Sequence, residues 1–549
     1  MTYTITADSI YKHVSVLADD SLEGRQVGEP GEWKAAQYIK IIFESAGLTP
    51  KGDNGNYFQA FEFIKRIDFG EKNHLAINGE ELQLNEEFMP MRQSASGSFK
   101  FDEVVFVDYG IRVDEEDGNY NDYEGKNVSG KAVLIKRYAP PSEDNPHINF
   151  NKYSSLTSKI QTALDHDAAG IFFITPADQD DTLHTIGPSY IYPKEIPIIF
   201  LRRKGLQRLG LDLDKPEIVS ATGEIELLKV RDTGYNVVGY LPTSNDTTII
   251  IGAHYDHLGW GGPTSRYVGK EKMIHNGADD NASGTSALLE LARYFSSTRK
   301  NLQHSLLFIA FSGEEAGILG SNYYAKHMTV DSGAIRMMVS MDMIGRLKEQ
   351  KEGLAIFGTG TALEFKNYFE SLSQDSMKMA FKEPGTGPSD HTAFYNRKIP
   401  VLHFFTGAHQ DYHKPSDDID KIDTEGIVKV AHVVADVVEH FDRHEGELTF
   451  QKTKDPMAGK RRSSFSVTLG IMPDYIAEVK GLRIDGVSPD RPGERAGLLM
   501  GDIIIKMGDI DINDIYDYMN ALSKFRKGDS TVIVIERGAD TLNLQVVFE

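Results

Sequence analysis

The stretch TTIIIGAHYDH at residues 247–257 guides the interpretation of this chain. Its apolar run predicts a β-strand that ends where polar residues begin. His254 and Asp256 are two residues apart, so in a strand their side chains point to the same face. A carboxylate beside an imidazole can orient the ring and raise its basicity, as it does behind metal-binding histidines. The stretch therefore predicts a strand that carries chemically useful side chains at its end.

Strands and helices alternate around this stretch, from residue 235 to about 445. Apolar runs such as SLLFIAF (305–311) and MMVSM (337–341) predict strands, and GTSALLELARYFSS (284–297) predicts a helix. This alternation is typical of an α/β domain with a mostly parallel central sheet that helices cover. In such sheets, ligands bind beyond the carboxyl ends of the strands.

Composition excludes several classes of function. The chain has 549 residues, which is too many for one core, and its formal net charge is −22. Nucleic-acid phosphates and anionic membrane surfaces would repel this charge, so we expect neither as a partner. The sequence has no cysteine, which excludes disulfides and thiolate metal sites. No stretch approaches the roughly 20 apolar residues of a membrane span.

Five residues of metal-binding type lie where predicted strands give way to loops. They are His254 in GAHYDH, Asp280 in GADDNASG, Glu315 in SGEEAG, Asp342 in MDMIGR and His413 in DYHKPSDD. Two imidazoles and three carboxylates are ligands that suit a pair of zinc ions. An aspartate inside an apolar run, such as Asp342, is costly to bury unless it is paired or bound to a metal. Glu314, beside one candidate ligand, is available as a general base.

Each of these motifs has another interpretation when it is taken alone. His254 fits an exposed polar residue at a strand end, and His413 fits a surface residue in a polar loop. Asp280 fits the N-cap cluster of a following helix. Glu314 and Glu315 fit the first turn of a helix, where the helix dipole favours acidic residues. These alternatives explain single residues, whereas the order and spacing of all the motifs favour one metal centre.

The motifs GAHYDH, GADDNASG, SGEEAG, MDMIGR, SDHTAF and FTGAHQDYHKPSDD follow one another along the chain. In this order they make residues 1 to about 445 resemble the zinc aminopeptidases of the aminopeptidase Y, bacterial leucyl aminopeptidase and glutamate carboxypeptidase group. The resemblance implies a phosphorylase/hydrolase-like exopeptidase fold and two Zn²⁺ ions per chain. It implies the following metal ligands: His254 and Asp342 for one zinc, Glu315 and His413 for the other, and Asp280 as the bridge.

Three catalytic roles follow from the same resemblance. Glu314 would be the general base, Asp256 would orient His254, and Tyr412 would stabilise the oxyanion. Some members of the group carry an arginine directly before the Ser-Asp of the SDH motif. Pro388 occupies that position here, so the resemblance implies no such arginine for substrate binding in this chain.

Two accessory domains are expected beside a discontinuous peptidase domain, which we assign to residues 1–97 and 231–446. The β-rich region 98–230 resembles a protease-associated domain inserted into the peptidase, and a passive surface insertion is the alternative. The polar stretch 447–463 is typical of a linker. Residues 464–549 resemble a PDZ domain of the bacterial protease type, with a β-barrel-like fold.

The PDZ resemblance implies a peptide-binding loop in SVTLGIMPDY, around Leu469, Gly470 and Ile471. Domains of this kind take an extended peptide end as an additional strand. We therefore expect a peptide C-terminus or a protein partner at this loop. A PDZ fold that only packs on the peptidase is the alternative.

The predicted function is hydrolysis of the N-terminal bond of peptides by a zinc-dependent aminopeptidase, with a metal-bridging water and Glu314 as base. Three alternatives are open: a carboxypeptidase or dipeptidase of the same group, a mono-zinc glutaminyl cyclase, and a peptide-binding scaffold that depends on the PDZ domain.

The N-terminus MTYTITADSIYKHV lacks the basic region and apolar core of a signal peptide. Because of the family resemblance, we expect a periplasmic or secreted protein from which a signal has been removed. A cytoplasmic protein is the alternative.

Overall fold

The computed structural model describes most of the chain. The described residues are 3–113, 119–141, 150–183, 194–262, 264–350, 353–372, 377–454, 467–473, 479–487, 491–513, 515–522, 524–525, 527–538 and 540–548. The α-helices in these ranges are α1 Ala7–Leu17, α2 Pro30–Ser45, α3 Leu156–Asp165, α4 Arg203–Arg208, α5 Gly284–Thr298, α6 Leu319–Lys326, α7 Leu363–Ser371, α8 His391–Tyr395, α9 Thr424–Arg443, α10 Pro492–Arg495 and α11 Ile515–Leu522.

The strands fall into successive groups along the chain. The first thirteen are β1 Thr49–Pro50, β2 Phe58–Phe69, β3 His74–Ile77, β4 Glu80–Leu82, β5 Phe88–Pro90, β6 Gly97–Phe101, β7 Val104–Phe106, β8 Arg112–Val113, β9 Tyr120–Asn121, β10 Ala132–Lys136, β11 Gly170–Ile174, β12 Ile198–Leu201 and β13 Ala221–Ile225. The next seven are β14 Leu227–Leu241, β15 Thr248–His254, β16 Ser305–Phe311, β17 Ile335–Met341, β18 Leu354–Phe357, β19 Met379–Lys382 and β20 Val401–Phe405. The last six are β21 Ile471–Pro473, β22 Leu482–Val487, β23 Ile503–Met507, β24 Ile510–Asp511, β25 Ser530–Arg537 and β26 Asp540–Val547.

The largest sheet has nine strands, in the order β1-β14-β16-β15-β17-β20-β18-β19, with β2 paired to β14. Its centre is parallel, because β15 pairs in parallel with β16 and β17, and β17 with β20. Antiparallel pairs flank this centre, β14 with β16 and β18 with β20. The predicted α/β fold with a mostly parallel central sheet is confirmed.

Helices cover both faces of this sheet, which explains why its central strands read as unbroken apolar runs. Ile249 and Ile251 pack in a core with α1, α2, α5 and α9, whereas Ile250 packs in a second core with α6 and α8. Successive side chains of a strand point to opposite faces, so each isoleucine of β15 is buried on one face or the other.

Helix α9 has 20 residues and is the longest helix in the described ranges. Its apolar residues lie on the face toward the sheet, and the side chain of Asp423 caps its first turn by accepting a hydrogen bond from the Gly426 N–H at 3.0 Å. Among the residues described above, no helix is both long and apolar enough to cross a membrane.

The parallel strands bring the predicted polar residues to one edge of the sheet. Strand β15 ends at His254, and Asp342 directly follows β17. Glu314 and Glu315 follow β16, and the loop that contains His413 follows β20. Because these four strands run in the same direction, their carboxyl ends meet.

A second unit consists of two sheets, β5-β12-β11-β10-β7 and β4-β3-β13-β6. Residues from both sheets share one buried core. Strands β3 to β5 precede residue 98, where we placed the start of the insertion, yet β3 pairs with β13, β5 pairs with β12, and β4 pairs with β3. Strand β14 runs through the predicted boundary at residue 230 and pairs with β2 over its first part.

The C-terminal strands β21 to β26 form a six-stranded sheet with its own core. Part of the stretch predicted to be a linker contacts the peptidase region. Phe450 forms a β-bridge with Ala362, and the Thr453 N–H donates to the Tyr395 hydroxyl at 2.9 Å. Residues 455–463 of that predicted linker lie outside the described residues.

Glu32 of α2 connects this helix to the central sheet. Its carboxylate accepts hydrogen bonds from the Gly28 and Tyr235 N–H groups, both at 3.1 Å, and from the Tyr255 and Ser312 hydroxyls at 3.0 and 2.6 Å. Burial nevertheless raises the pKa of Glu32 to about 7. A carboxyl group whose pKa is higher in the folded than in the unfolded protein stabilises the fold most at low pH.

We expect Glu32→Gln to change how stability depends on pH. The contribution of Glu32 is complete below its unfolded pKa and is lost as pH rises through about 7. The free energy of unfolding of the wild type minus that of Glu32→Gln should therefore fall by about 3 kcal/mol between about pH 4.5 and pH 7. Urea denaturation across this range measures the difference.

Glu44→Gln is the matched control, because Glu44 lies on the same helix with a side chain that is 59% exposed. Its stability difference from the wild type should not change with pH in this way. A Glu32→Gln difference that is flat or rises with pH would contradict the prediction.

Candidate metal centre and active site

The first donor group joins the ends of two parallel strands. The His254 Nε2 atom lies 3.2 Å from Asp342 Oδ1 and 3.4 Å from Asp280 Oδ1. His254 is buried and is the last residue of β15, whereas Asp342 directly follows β17. The imidazole therefore faces two carboxylates that come from different elements of the fold.

The second donor group surrounds the other oxygen of Asp280. Asp280 Oδ2 lies 3.3 Å from His413 Nε2 and 3.8 Å from His257 Nδ1. Glu315 approaches both rings, with Oε1 2.8 Å from His257 Nδ1 and Oε2 3.2 Å from His413 Nε2. Asp280 thus directs one carboxylate oxygen toward each donor group.

The donor atoms of the second group converge without pairing fully with one another. His413 Nε2, which faces Asp280 and Glu315, is buried and has no properly aligned hydrogen-bond partner among the described residues. The ligand atoms of His257, Asp280 and Glu315 all lie within 4.8 Å of one another. Imidazole nitrogens and carboxylate oxygens grouped in this way fit a zinc ion.

Glu314 belongs to the first donor group, because its ligand atom lies within 4.8 Å of those of His254 and Asp342. Burial raises the pKa of Glu314 well above its ordinary value, and the charges of Asp342 and Glu315 raise it further. A raised pKa makes a carboxylate a stronger proton acceptor, which suits Glu314 to act as a general base.

Other carboxyl groups near Glu314 also have raised pKa values. Burial raises the pKa of Asp280 to about 6, with the charge of Glu315 adding to the shift, and it raises the pKa of Asp390 to about 7. Buried carboxylates so close together repel one another unless protons or cations neutralise them. A bound divalent cation would supply the missing positive charge.

Asp256 connects the His254 strand to the glutamate loop. Its two carboxylate oxygens accept hydrogen bonds from the backbone N–H groups of Glu314 and Glu315, at 3.1 and 3.4 Å. One of these oxygens lies 3.7 Å from His254 Nδ1, and the Asp256 carbonyl lies 3.2 Å from the same nitrogen. The fully buried Asp256 therefore holds His254, Glu314 and Glu315 in one arrangement.

Asp280 lies in an irregular turn, residues 278–283, that leads into α5. The peptide bond after Asp280 is cis. The buried carboxylate of Asp417 accepts hydrogen bonds from the backbone N–H groups of Asp279 and Asp280 at 3.0 and 3.1 Å. Arg346 lies 3.4 Å from Asp417 and balances its charge. Asp417 thus fixes the backbone from which the Asp280 carboxylate projects.

Arg25 supports the same turn from the other side. Its buried guanidinium donates to the backbone carbonyls of Tyr255 and Asn276 at 2.7 and 2.6 Å, and to those of Gly277 and Leu17. All of its partners are neutral carbonyls, so its charge is free to offset that of the nearby carboxylates.

Tyr412 lies against the second donor group. Its ring stacks on the His413 imidazole, with centroids 3.8 Å apart and an interplanar angle of 25°. Burial, together with the charges of Asp280 and Glu315, raises the pKa of Tyr412 well above 10. The phenol therefore keeps its proton and is available as a hydrogen-bond donor.

The structure brings all the predicted metal and catalytic residues together, and it places beside them two residues to which sequence reasoning gave no role, His257 and Ser389. His257 contacts Asp280 and Glu315, and its position directly after Asp256 was the available signal. The Ser389 hydroxyl donates to Asp342 Oδ2 at 3.0 Å, and it lies in the SDHTAF motif that had been quoted without a role.

The predicted PDZ loop is partly engaged in local contacts. The Leu469 carbonyl accepts a hydrogen bond from the Gly493 N–H at 2.8 Å, and the Leu469 side chain is buried. Gly470 has a φ of +70°, which glycine adopts without strain, and its N–H donates to the Thr468 hydroxyl. Ile471 begins β21, the strand at the edge of the C-terminal sheet.

Comparison with known proteins gives matches to both regions. Aminopeptidase YwaD of Bacillus subtilis (strain 168) is 27% identical over 266 residues, which cover 45% of this chain and 54% of that protein. Leupeptin-inactivating enzyme 1 of Streptomyces exfoliatus is 30% identical over 193 residues, 34% of this chain and 39% of that protein. The solved aminopeptidase from Aneurinibacillus sp. strain AM-1 has a TM-score of 0.48 and 24% identity, and covers 82% of this chain and 97% of its own.

The matched region spans about half the length of these curated relatives. Residues 236–438 match peptidase family M28, and residues 448–547 match the PDZ domain. The second match begins before residue 464, where we placed the start of that domain. The chain therefore contains a peptidase family M28 domain, as its motifs predicted, followed by a PDZ domain.

Proposed function

We propose that this protein is an aminopeptidase that binds two zinc ions and hydrolyses the N-terminal bond of peptides. The position of Asp280 is the observation that carries this proposal. Its two oxygens lie 3.4 Å from His254 Nε2 and 3.3 Å from His413 Nε2, so one carboxylate serves two donor groups. The family M28 match and the aminopeptidase relatives support the same function.

His254 and Asp342 would hold one zinc, Glu315 and His413 would hold the other, and Asp280 would bridge the two. When bound, the pair of ions lowers the pKa of a water and polarises the scissile carbonyl. His257 Nδ1, which lies 2.8 Å from Glu315 Oε1, would orient the Glu315 carboxylate toward the metal.

Glu314 would act as the general base. It would remove the proton from the attacking water and then deliver it to the leaving amine. The hydrogen bond from its backbone N–H to Asp256 holds Glu314 beside the first donor group. Its carboxylate would remain free to accept a proton, because the neighbouring Glu315, which faces the histidines of the second donor group, would be the metal ligand.

Tyr412 would donate its phenolic proton in a hydrogen bond to the oxyanion that forms as the carbonyl is attacked. Its stacking on His413 fixes the ring beside the second donor group. Asp256 would keep His254 oriented while it holds the backbone of Glu314 and Glu315.

The insertion and the PDZ domain would determine which peptides reach the active site. We propose that the insertion between the two parts of the peptidase region is a protease-associated domain. The loop at Leu469, Gly470 and Ile471 would bind a peptide C-terminus as an additional strand beside β21. A periplasmic or secreted location would suit a protein that degrades peptides.

A panel of aminoacyl p-nitroanilides, each with a free and an acetylated amino group, tests the proposal. We expect release from the free-amine substrates only, loss of activity with a chelator and recovery when zinc is added back. Cleavage of N-acetylated peptides from their C-terminal end would contradict it and indicate a carboxypeptidase.

Glu314→Gln should lower kcat by roughly 10²- to 10⁴-fold with little change in KM, because the amide cannot accept the proton. Steady-state kinetics and zinc content measured on the same preparation separate loss of the base from loss of metal. A variant that keeps both zinc and wild-type kcat would show that Glu314 is not the base.

Metal analysis after dialysis should find about two zinc ions per wild-type chain. His413→Gln should retain about one, and Asp280→Asn should bind both more weakly, because both donor groups use Asp280. His432→Gln is the control, since His432 is an exposed histidine of α9 and should leave the content unchanged. One zinc in the wild type would contradict the assignment of two sites.

A further inference from the structure

The loop residues 259–262 and 264–275 pack against the second donor group. The His275 N–H donates to the Gly259 carbonyl at 2.8 Å and closes the base of the loop. Within it, the Arg266 N–H donates to the His413 carbonyl at 2.9 Å, and His413 Nδ1 lies 3.0 Å from the Thr264 carbonyl. These contacts place Arg266 beside a predicted metal ligand, although the two are far apart in sequence.

The Arg266 side chain lies over Tyr412. Its guanidinium carbon is 5.1 Å from the centroid of the Tyr412 ring, and the same ring stacks on His413. Arg266 is exposed, and in the part of the chain that the structure describes it has no carboxylate at ion-pair distance. A cationic group is therefore held at the approach to the site without an internal partner.

Lys414 is a second cationic residue, and it directly follows the predicted ligand His413 in the chain. Its side chain is half-buried. The nearest acidic candidate, Asp411, is already bound by Lys421 and Ser416, both at 2.6 Å. Within the described ranges Lys414 forms no ion pair, so it is a second cation without a direct acidic partner.

Two unpartnered cations are unexpected at this position, because the chain carries a net charge of −22 and the centre beside them is crowded with carboxylates. Free surface cations in such a protein would find acidic partners at little cost. The arrangement leaves their hydrogen-bond donors available to an anion from outside. Arg266 is suited to a carboxylate, since its planar guanidinium binds one in a bidentate manner.

We propose that Arg266, assisted by Lys414, binds the free C-terminal carboxylate of short peptide substrates. This inference rests on the proposed peptidase function and names its substrate class. An extended peptide advances roughly 3.3–3.6 Å per residue, so the carboxylate of a di- or tripeptide lies within a few residue lengths of the carbonyl at the metal centre. The Arg266 guanidinium lies 5.1 Å from the Tyr412 ring, whose centroid is 3.8 Å from that of His413, so Arg266 lies within about three residue lengths of His413.

Two dipeptides that differ only in their C-terminal group test the proposal. The substrates are X-Gly and X-Gly amide, where X is the residue that the enzyme releases fastest from its p-nitroanilide. The wild type should prefer the free acid in kcat/KM, mainly through a lower KM. Raising the ionic strength should reduce the preference, because salt screens exposed charges.

Arg266→Gln should lower kcat/KM for X-Gly by roughly three- to tenfold, which is the range for a charged hydrogen bond that is partly exposed. The loss should be confined to the free acid, and Arg266→Lys should retain part of the preference. Lys272→Gln is the matched control: Lys272 is an exposed lysine on the same loop that lies over Trp260, and its removal should leave the preference intact.

An equal kcat/KM for the acid and the amide in the wild type would overturn the inference, as would an Arg266→Gln variant that keeps the wild-type preference. Either result would leave the proposed aminopeptidase function standing. N-acetyl-X-Gly distinguishes the other failure: if the wild type cleaves it as fast as X-Gly and Arg266→Gln slows both, the carboxylate site is supported and the aminopeptidase assignment is wrong.

Discussion

Repulsion among buried carboxylates is the constraint on which this site depends. Asp280, Glu314, Glu315 and Asp342 meet at one edge of the sheet. Asp280 is buried and the other three are partly buried, so little water remains to screen their charges. Raised pKa values for Glu314 and Asp280 express that cost. The parallel strands impose the crowding, because their carboxyl ends coincide, and the histidines and the proposed zinc ions neutralise it.

The surrounding structure holds these groups against their repulsion. Asp256 accepts hydrogen bonds from the backbone of both glutamates, and Asp417 does the same for the turn that carries Asp280. The N–H groups of Arg25 donate to backbone carbonyls and so fix the turn, while its positive charge offsets the negative charge of the nearby carboxylates. Orientation thus comes mainly from buried groups that contact the backbone, which leaves the ligand atoms free to face a metal.

Sequence reasoning predicted the site residues whose positions depend on local sequence pattern and on strand direction. His254 and Asp342 are 88 residues apart, yet each follows an apolar run, and parallel strands bring such ends together. It did not predict Asp417 beside Asp280, because a polar loop 137 residues away carries no periodic signal that assigns it a partner. The limits of the insertion depend on long-range pairing in the same way. Strands β3 and β5 are short, and their pairing with β13 and β12 places them beside the strands of the second unit.

Glu314 and Glu315 show how the fold gives adjacent residues of the same type different electrostatic surroundings. Burial raises the pKa of both carboxyls. For Glu315, the charge of His413 and the hydrogen bonds from His257 and His413 reverse the effect and lower the pKa well below its ordinary value. Glu314 has no such pair of histidines, so its pKa stays high. The lowered pKa keeps Glu315 ionised, which suits its proposed role as a metal ligand, and the raised pKa of Glu314 suits its proposed role as a general base.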